Sequence, residues 1–185
     1  MHKLMKGYQS FYQNYFESNK DLYTKLIKEG QKPTAAVVCC SDSRTDPAMI
    51  FDAKPGDLFV IRNIANWVPP YAHFTEPCSV SAALAFAILH LNIKDIIILG
   101  HSHCAGVKTM HCDNVNIAQP VREWVKIMKK ESKDEHNKIQ NNVLNAWKNL
   151  QTFPWINESI RTYAWCFCMD SGKIEKYNAE ADIFD

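Results

Sequence analysis

The sequence has almost no excess charge of either sign. Its 21 basic and 20 acidic residues leave a formal net charge of +1. Proteins that grip the phosphate backbone of nucleic acids carry a concentrated basic surface, so this balance excludes a large surface of that kind. The Lys-rich residues 126–130 alternate with apolar positions, which is typical of a solvated helix face. We therefore expect no nucleic-acid partner.

Long apolar runs are also missing, and we expect no segment that crosses a membrane. The first residues, MHKLMKGYQSFYQ, lack the apolar core of a secretion signal, so we expect a cytoplasmic protein. Seven cysteines is an odd number, and without an export signal metal binding or burial explains them better than disulfide bonds do. Repeats, low-complexity tracts and linkers are absent, and 185 residues fit one main domain.

The first 30 residues predict a helical arm. Their aromatic side chains recur at the spacing of one helix face, at Tyr8, Phe11, Tyr12, Tyr15 and Phe16. A second helix is predicted over about residues 21–29, before Gly30. We therefore divide the chain into an arm, residues 1–30, and a single further domain, residues 31–185. The arm packs on its own domain or on a partner subunit, and the sequence leaves both open.

The rest of the chain predicts an α/β fold with a mostly parallel central sheet flanked by helices. Residues 35–39, 58–61 and 96–99 are short, continuous apolar runs, which is typical of parallel strands buried on both faces. A helix predicted to begin at residues 75–77 makes a β-α-β crossover, and residues 121–150 predict a further helical region. Residues 163–169 and 173–177 predict a C-terminal hairpin at the sheet edge.

Two of the predicted strands end in side chains that bind metals. Cys40 and Asp42 follow the first strand, and His101 and Cys104 follow the strand at residues 96–99. Functional groups in open α/β sheets gather beyond the carboxyl ends of the strands, so we expect these four to converge. Thiolate, imidazole and carboxylate together suit Zn²⁺ in tetrahedral coordination. The sequence therefore predicts one zinc site per chain.

These motifs resemble those of a known family. The stretch CSDSR at residues 40–44, together with HSHC at residues 101–104, resembles the zinc site of the β-class carbonic anhydrases. The similarity continues through GDLFVIRN at residues 56–63 and spans about residues 30–180. The chain departs from the family at Ala65 and Ala105, where glycine is usual, and in a shorter stretch between Cys104 and Asn142.

The resemblance implies the roles of the metal-site residues. Cys40, His101 and Cys104 would be permanent zinc ligands, and Asp42 an exchangeable fourth ligand. Arg44 would form a bidentate pair with Asp42 and hold it off the metal, which leaves a position for water. The implied reaction is the reversible hydration of CO₂ to bicarbonate and a proton by zinc-bound hydroxide. Residues 31–185 would then be a single zinc-binding α/β catalytic domain.

The resemblance also implies a substrate pocket and an assembly. Phe59, Ile64 and Phe86 would line an apolar pocket for CO₂, with Gln31 and the Ala105 N–H near the bound oxygen atoms. Because the family's active site lies at a subunit interface, we expect a homodimer or a higher homo-oligomer.

Two alternatives to CO₂ hydration remain open from the sequence. Hydrolases of carbonyl sulfide or carbon disulfide use a similar zinc site on the same fold, and a zinc-stabilised scaffold without activity would hold Asp42 on the metal. Family members that close the site in that way have a tryptophan three residues before the first zinc cysteine, where this chain has Val37. We therefore expect Asp42 to pair with Arg44 near neutral pH.

Overall fold

The computed structural model describes residues 2–71, 78–111, 117–131 and 138–185, with the side chains of residues 130 and 131 left aside. Internal contacts divide the chain into two units, Met1–Lys32 and Pro33–Asp185. The predicted boundary between a helical arm, residues 1–30, and a catalytic domain, residues 31–185, stays a prediction. Among the helices that the structure describes, none combines the length and the apolarity needed to cross a lipid bilayer.

The N-terminal unit is helical from His2 to Glu29. Helix α1 (His2–Phe11) runs through a π-helical turn (Tyr12–Phe16) and a 3₁₀ turn (Glu17–Asn19) into helix α2 (Lys20–Glu29), which ends at Gly30 with φ of 76°. The predicted aromatic spacing produces stacked pairs along the helix. Phe11 stacks on Tyr15 at a centroid distance of 5.6 Å, and Tyr12 stacks on Phe16 at 5.7 Å. Tyr8 and Phe11 of α1 and the adjoining Tyr12 are exposed, whereas Tyr15 and Phe16 are half-buried, so the first three rings form an exposed aromatic surface.

The second unit contains a six-stranded sheet in the order β2-β1-β3-β4-β5-β6. The strands are β1 (Ala35–Cys40), β2 (Leu58–Asn63), β3 (Asp95–His101), β4 (Arg161–Cys168), β5 (Lys173–Asn178) and β6 (Ile183–Phe184). The first four strands in this order are parallel, and β5 and β6 are antiparallel. In its described residues the unit also has the α-helices α3 (Pro47–Ile50), α4 (Ser79–Ala85), α5 (Ala105–Met110), α6 (Gln119–Glu131) and α7 (Lys138–Leu150).

The predicted fold class, α/β with a mostly parallel sheet and a C-terminal hairpin, is confirmed. The strands extend beyond the predicted runs by one or two residues, except that β4 ends one residue earlier than predicted, at Cys168. Strand β6 was not predicted. The predicted helical region at residues 121–150 contains α6 and α7. The predicted start of the crossover helix, residues 75–77, lies outside the described residues; α4 and a following π-helical turn (Phe86–His90) form the described part.

Helices α4, α5, α6 and α7 pack on one face of the sheet, and Ile50 of α3 packs on the other. Val38 and Cys40 of β1 lie in the larger core, together with buried side chains of α4, α5, α6 and α7. Val37 and Cys39 point to the opposite face, where a smaller cluster includes Leu99. The side-chain alternation of a strand therefore separates the two adjacent cysteines.

Gly100 marks the closest approach between strand β3 and helix α7. A Cβ atom at this position would collide with Cγ2 of Val143 in α7. We expect Gly100→Ala to lower the free energy of unfolding by about 1–3 kcal/mol, because overpacking forces the backbone or the helix to shift. Chemical denaturation measures this loss. Gly7→Ala is the matched control, since nothing lies within 4 Å of its added methyl group, and it should be neutral or slightly stabilising. Equal stabilities of the two variants would contradict the packing.

The first residues of β3 and β4 form an ion pair across the sheet. Asp95 lies opposite Arg161, whose Nε donates to Asp95 Oδ1 at 2.7 Å. Arg161 lowers the pKa of Asp95 below its ordinary value. A carboxyl group whose pKa is lower in the folded state stabilises the fold above its unfolded pKa, and that stabilisation disappears as the pH falls through the folded pKa.

We therefore expect Asp95→Asn to be less stable than the wild type at pH 7, and the difference to shrink as the pH falls below about 4. Urea denaturation of both proteins at several pH values measures it. If the difference in free energy of unfolding between the two proteins stayed constant from neutral to acidic pH, the ion pair would not be its cause.

Candidate metal centre

Three potential metal ligands converge beyond the carboxyl ends of β1 and β3. Cys40 is the last residue of β1, His101 is the last residue of β3, and Cys104 precedes α5. The parallel register aligns β1 with β3, so both strand ends lie at the same edge of the sheet. One ligand atom from each of the three lies within 4.8 Å of the others, and all three residues are buried.

The geometry of this group fits zinc. The Sγ atoms of Cys40 and Cys104 lie 3.9 Å apart. Two thiolates bound to tetrahedral zinc at about 2.3 Å are separated by about 3.8 Å, so the pair needs little movement to bind one ion. His101 Nδ1 lies 2.8 Å from the carbonyl oxygen of Ser102, and its buried Nε2 has no hydrogen-bond partner. This arrangement places the proton on Nδ1 and leaves the Nε2 lone pair for a metal, as is common for histidine ligands.

Of the two thiol protons of Cys40 and Cys104, one is lost readily and the other is retained between the two sulfur atoms. A hydrogen bond from Cys104 lowers the pKa of Cys40 against the opposing effect of burial, and backbone hydrogen bonds from Asp42 and Ala65 lower it further. The neighbouring Cys40 thiolate in turn raises the pKa of Cys104. One negative charge therefore forms easily in the pair, and a second requires a bound cation to balance it.

Asp42 is turned toward Arg44. Arg44 Nε donates to Asp42 Oδ1 at 2.9 Å, and Nη2 donates to Oδ2 at 2.7 Å. The Arg44 backbone N–H also donates to Oδ1, at 3.0 Å. These bonds hold the pKa of Asp42 well below its ordinary range. Within the described residues no carboxylate belongs to the Cys40–His101–Cys104 group. Asp42 is paired with Arg44 instead, which is the arrangement we expect when the fourth position on the metal is left for water.

The five residues predicted to line the substrate pocket differ in their contacts and in their exposure to solvent. The rings of Phe59 and Phe86 stack at a centroid distance of 6.1 Å, and Ile64 lies against Gly106. Phe86 and Ile64 are 45% and 41% exposed, which is high for pocket residues within one chain. Ala105 begins α5, next to Cys104. Gln31 belongs to the N-terminal unit, and its role stays a prediction, as do those of the other four.

Sequence reasoning missed the structural role of Arg62. Its guanidinium donates to the carbonyl oxygens of Cys40 at 3.1 Å and Asp42 at 2.7 Å, and it pairs with Asp46 at 3.0 Å. Arg62 therefore ties the loop after β1 to strand β2. The signal was available in the predicted sheet, because the parallel register places Arg62 opposite Cys39.

His103 lies beside the metal group without joining it. Its Nε2 is 2.8 Å from an Asp170 carboxylate oxygen, and its backbone φ is 57°. This left-handed conformation turns the side chain of His103 away from His101 and Cys104 and toward solvent, where it is 61% exposed. His103 therefore does not belong to the metal group, although it lies between two of its members in the sequence.

Comparison with known proteins agrees with the site. The family model for carbonic anhydrase matches residues 35–174. A carbonic anhydrase of Synechocystis is 33% identical, with 96% of this chain and 71% of the relative aligned. One of Helicobacter pylori is 31% identical, with 99% and 93% aligned.

Solved structures show the same relationship. The β-carbonic anhydrase CcaA has a TM-score of 0.89 at 32% identity, covering 100% of this chain and 91% of that one. A tetrameric β-carbonic anhydrase of Sordaria macrospora has a TM-score of 0.83 at 26% identity, covering 96% of both chains. This chain belongs to the β class of the carbonic anhydrase family.

Proposed function

We propose that this protein binds one zinc ion per chain through Cys40, His101 and Cys104 and hydrates CO₂ reversibly to bicarbonate and a proton. The observation that carries the proposal is the buried group of two thiols and one imidazole, with the lone pair of His101 Nε2 unpartnered. When bound, zinc lowers the pKa of a water molecule so that it can attack CO₂ near neutral pH.

The Asp42–Arg44 pair controls access to the site. Arg44 engages both carboxylate oxygens of Asp42, so the carboxylate stays ionised and directed away from the cysteines. The lone pairs that Arg44 leaves free on Asp42 can accept a hydrogen bond from the attacking water and orient it. Asp42 thereby serves the reaction as an acceptor, and it becomes a fourth ligand only if it leaves Arg44.

Apolar side chains would hold the substrate. CO₂ has no net charge and no strong hydrogen-bonding group, so the stacked rings of Phe59 and Phe86 and the aliphatic Ile64 suit it. The Ala105 N–H would bind an oxygen atom of bicarbonate as charge develops on it.

We also propose that the active form is a homodimer or a higher oligomer. The Sordaria relatives are described as tetrameric. Ile64 and Phe86 are more exposed than a closed pocket requires, and a second subunit would cover them. The exposed aromatic surface of α1 offers a further contact for that subunit.

Metal content and activity measured together test the proposal. Purified protein is expected to carry about one zinc per chain and to hydrate CO₂ in a stopped-flow assay, with activity lost to a strong chelator and restored by Zn²⁺. A parallel assay measures sulfide release from carbonyl sulfide and carbon disulfide. Sulfide release without CO₂ hydration would replace the proposed substrate, and full zinc content without either activity would favour the inactive scaffold.

A further inference from the structure

A strained turn lies between the two cysteine-bearing segments. Ala65 and Asn66 follow strand β2 with φ of 63° and 49°, in the left-handed region that non-glycine residues rarely occupy. Both are buried, at 0% and 1% exposure. A strained backbone of this kind persists only where its surroundings hold it in place. The contacts of the turn therefore show what fixes it.

Side chains from two helices hold successive carbonyl groups of this turn. Asn142 Nδ2, from α7, donates to the Ala65 carbonyl oxygen at 2.9 Å in a buried hydrogen bond. Trp124 Nε1, from α6, donates to the Ile64 carbonyl oxygen at 3.0 Å. Each bond fixes the direction of a carbonyl group, and the Asn142 bond holds the peptide that follows Ala65 itself.

The same turn contacts both cysteine-bearing segments. The turn begins directly after Asn63, which lies opposite Cys40 in the register of β2 and β1 and accepts a hydrogen bond from the Ser41 N–H at 2.8 Å. A backbone hydrogen bond from Ala65 is also among the causes that lower the pKa of the Cys40 thiol. On the other side, a Cβ atom on Gly106, two residues after Cys104, would lie 3.0 Å from the Ala65 Cβ and 3.3 Å from the Ala65 nitrogen. A rotation of the turn would therefore disturb the Cys40 sulfur and the packing of the Cys104 segment together.

We propose that Asn142 and Trp124 are positioning residues of the metal centre, which hold the turn at residues 64–66 so that the Ala65 N–H is directed at Cys40 Sγ. This inference rests on the proposed zinc site and adds to it residues from two helices that do not touch the metal group. An N–H donated to a thiolate withdraws electron density from sulfur and fixes its position. Outer hydrogen-bonding partners of this kind typically change metal affinity by about 10–100-fold.

Asn149 provides a matched control on the same helix. Its Nδ2 donates to the Val68 carbonyl oxygen at 3.0 Å, and this bond is also buried. Asn149→Ala therefore removes an equivalent amide-to-carbonyl hydrogen bond, from the same helix to the segment that follows the turn. In this variant the hydrogen bonds from Trp124 to the Ile64 carbonyl oxygen and from Asn142 to the Ala65 carbonyl oxygen remain. A role that is only structural would make Asn142→Ala and Asn149→Ala equivalent in every metal measurement.

The experiment compares Asn142→Ala, Trp124→Phe and Asn149→Ala with the wild type, using full-length chains. Zinc affinity is measured by competition with a chromophoric chelator, and Co²⁺-substituted protein reports the thiolate-to-metal charge-transfer bands. For Asn142→Ala we expect zinc affinity to fall by about tenfold or more. We also expect the charge-transfer band to move to longer wavelength, because a sulfur that loses a hydrogen bond becomes a stronger donor. Trp124→Phe should also lower the zinc affinity and move the charge-transfer band to longer wavelength. Asn149→Ala should match the wild type in both measurements.

The outcomes separate this inference from the function on which it rests. A wild-type protein that binds neither Zn²⁺ nor Co²⁺ refutes the proposed function. A wild type that binds both, with Asn142→Ala no different from Asn149→Ala, refutes only the positioning role. Should Asn142→Ala fail to fold, Trp124→Phe decides: unchanged affinity and spectrum in that variant overturn the inference.

Discussion

Cys40→Ser is expected to abolish metal binding and with it the activity. A serine hydroxyl does not ionise near neutral pH, so the site loses one of its two thiolate ligands. We expect zinc content to fall from about one per chain by tenfold or more, and CO₂ hydration to fall to background. Stability should fall as well, because a metal present at about 100 times its dissociation constant stabilises the fold by about 2.7 kcal/mol.

Atomic absorption and thermal denaturation of the purified variant measure these losses. Cys39→Ala is the matched control: Cys39 is the preceding residue of β1, but its side chain is buried in the cluster on the opposite face. This control is expected to keep its zinc and to lose only packing. If Cys40→Ser retained a full complement of zinc, Cys40 would not be a ligand.

Arg44→Ala is expected to keep zinc and to lose about 100-fold in activity. Without the guanidinium, Asp42 loses the two side-chain hydrogen bonds that turn it away from the cysteines. The free carboxylate can then bind the metal and displace water. Residues that orient the groups around a metal typically contribute about 10–100-fold to activity. Arg44→Lys should recover only part of the loss, since an ammonium group cannot form the bidentate pair.

Stopped-flow hydration rates, normalised to measured zinc, test this expectation. The control is Arg161→Ala, which breaks the other bidentate arginine–aspartate pair, with Asp95, at the opposite ends of β3 and β4. It should cost stability and leave the rate per zinc unchanged. Wild-type rates in Arg44→Ala would show that Asp42 does not need its partner.

The sequence predicts the sheet and the metal group for the same physical reason. Strands buried on both faces must be apolar, so β1 and β3 are visible as runs of apolar residues. The residues that follow such strands must lie at one edge of the sheet, and this brings Cys40 close to His101 and Cys104. The roles given to Asp42 and Arg44 came from the family resemblance, and the ion pair between them is what those roles require.

Other features had no local signal. Ala65 occupies a left-handed conformation that its residue type does not indicate. Two hydrogen bonds between the Asn63 side chain and the Trp67 backbone bridge the turn, and tertiary contacts with α6 and α7 hold its carbonyl groups. Trp124 and Asn142 belong to helices where aromatic and amide residues are ordinarily read as core or surface. Strand β6 is two residues long, too short for an alternating pattern to indicate it.

Strand β6 has a consequence for colloidal behaviour. A sheet with a free outer strand is a template on which identical chains add, and sheet proteins avoid this by shielding that strand. Here the chain folds back after β5, so that Lys176 and Asp185 exchange two backbone hydrogen bonds and the Phe184 ring packs on Tyr177. The backbone groups of β5 are therefore occupied from residue 176 to 178 by the protein's own segment. Concentrated solutions should resist fibrillar assembly along this edge, and oligomers should form through other surfaces.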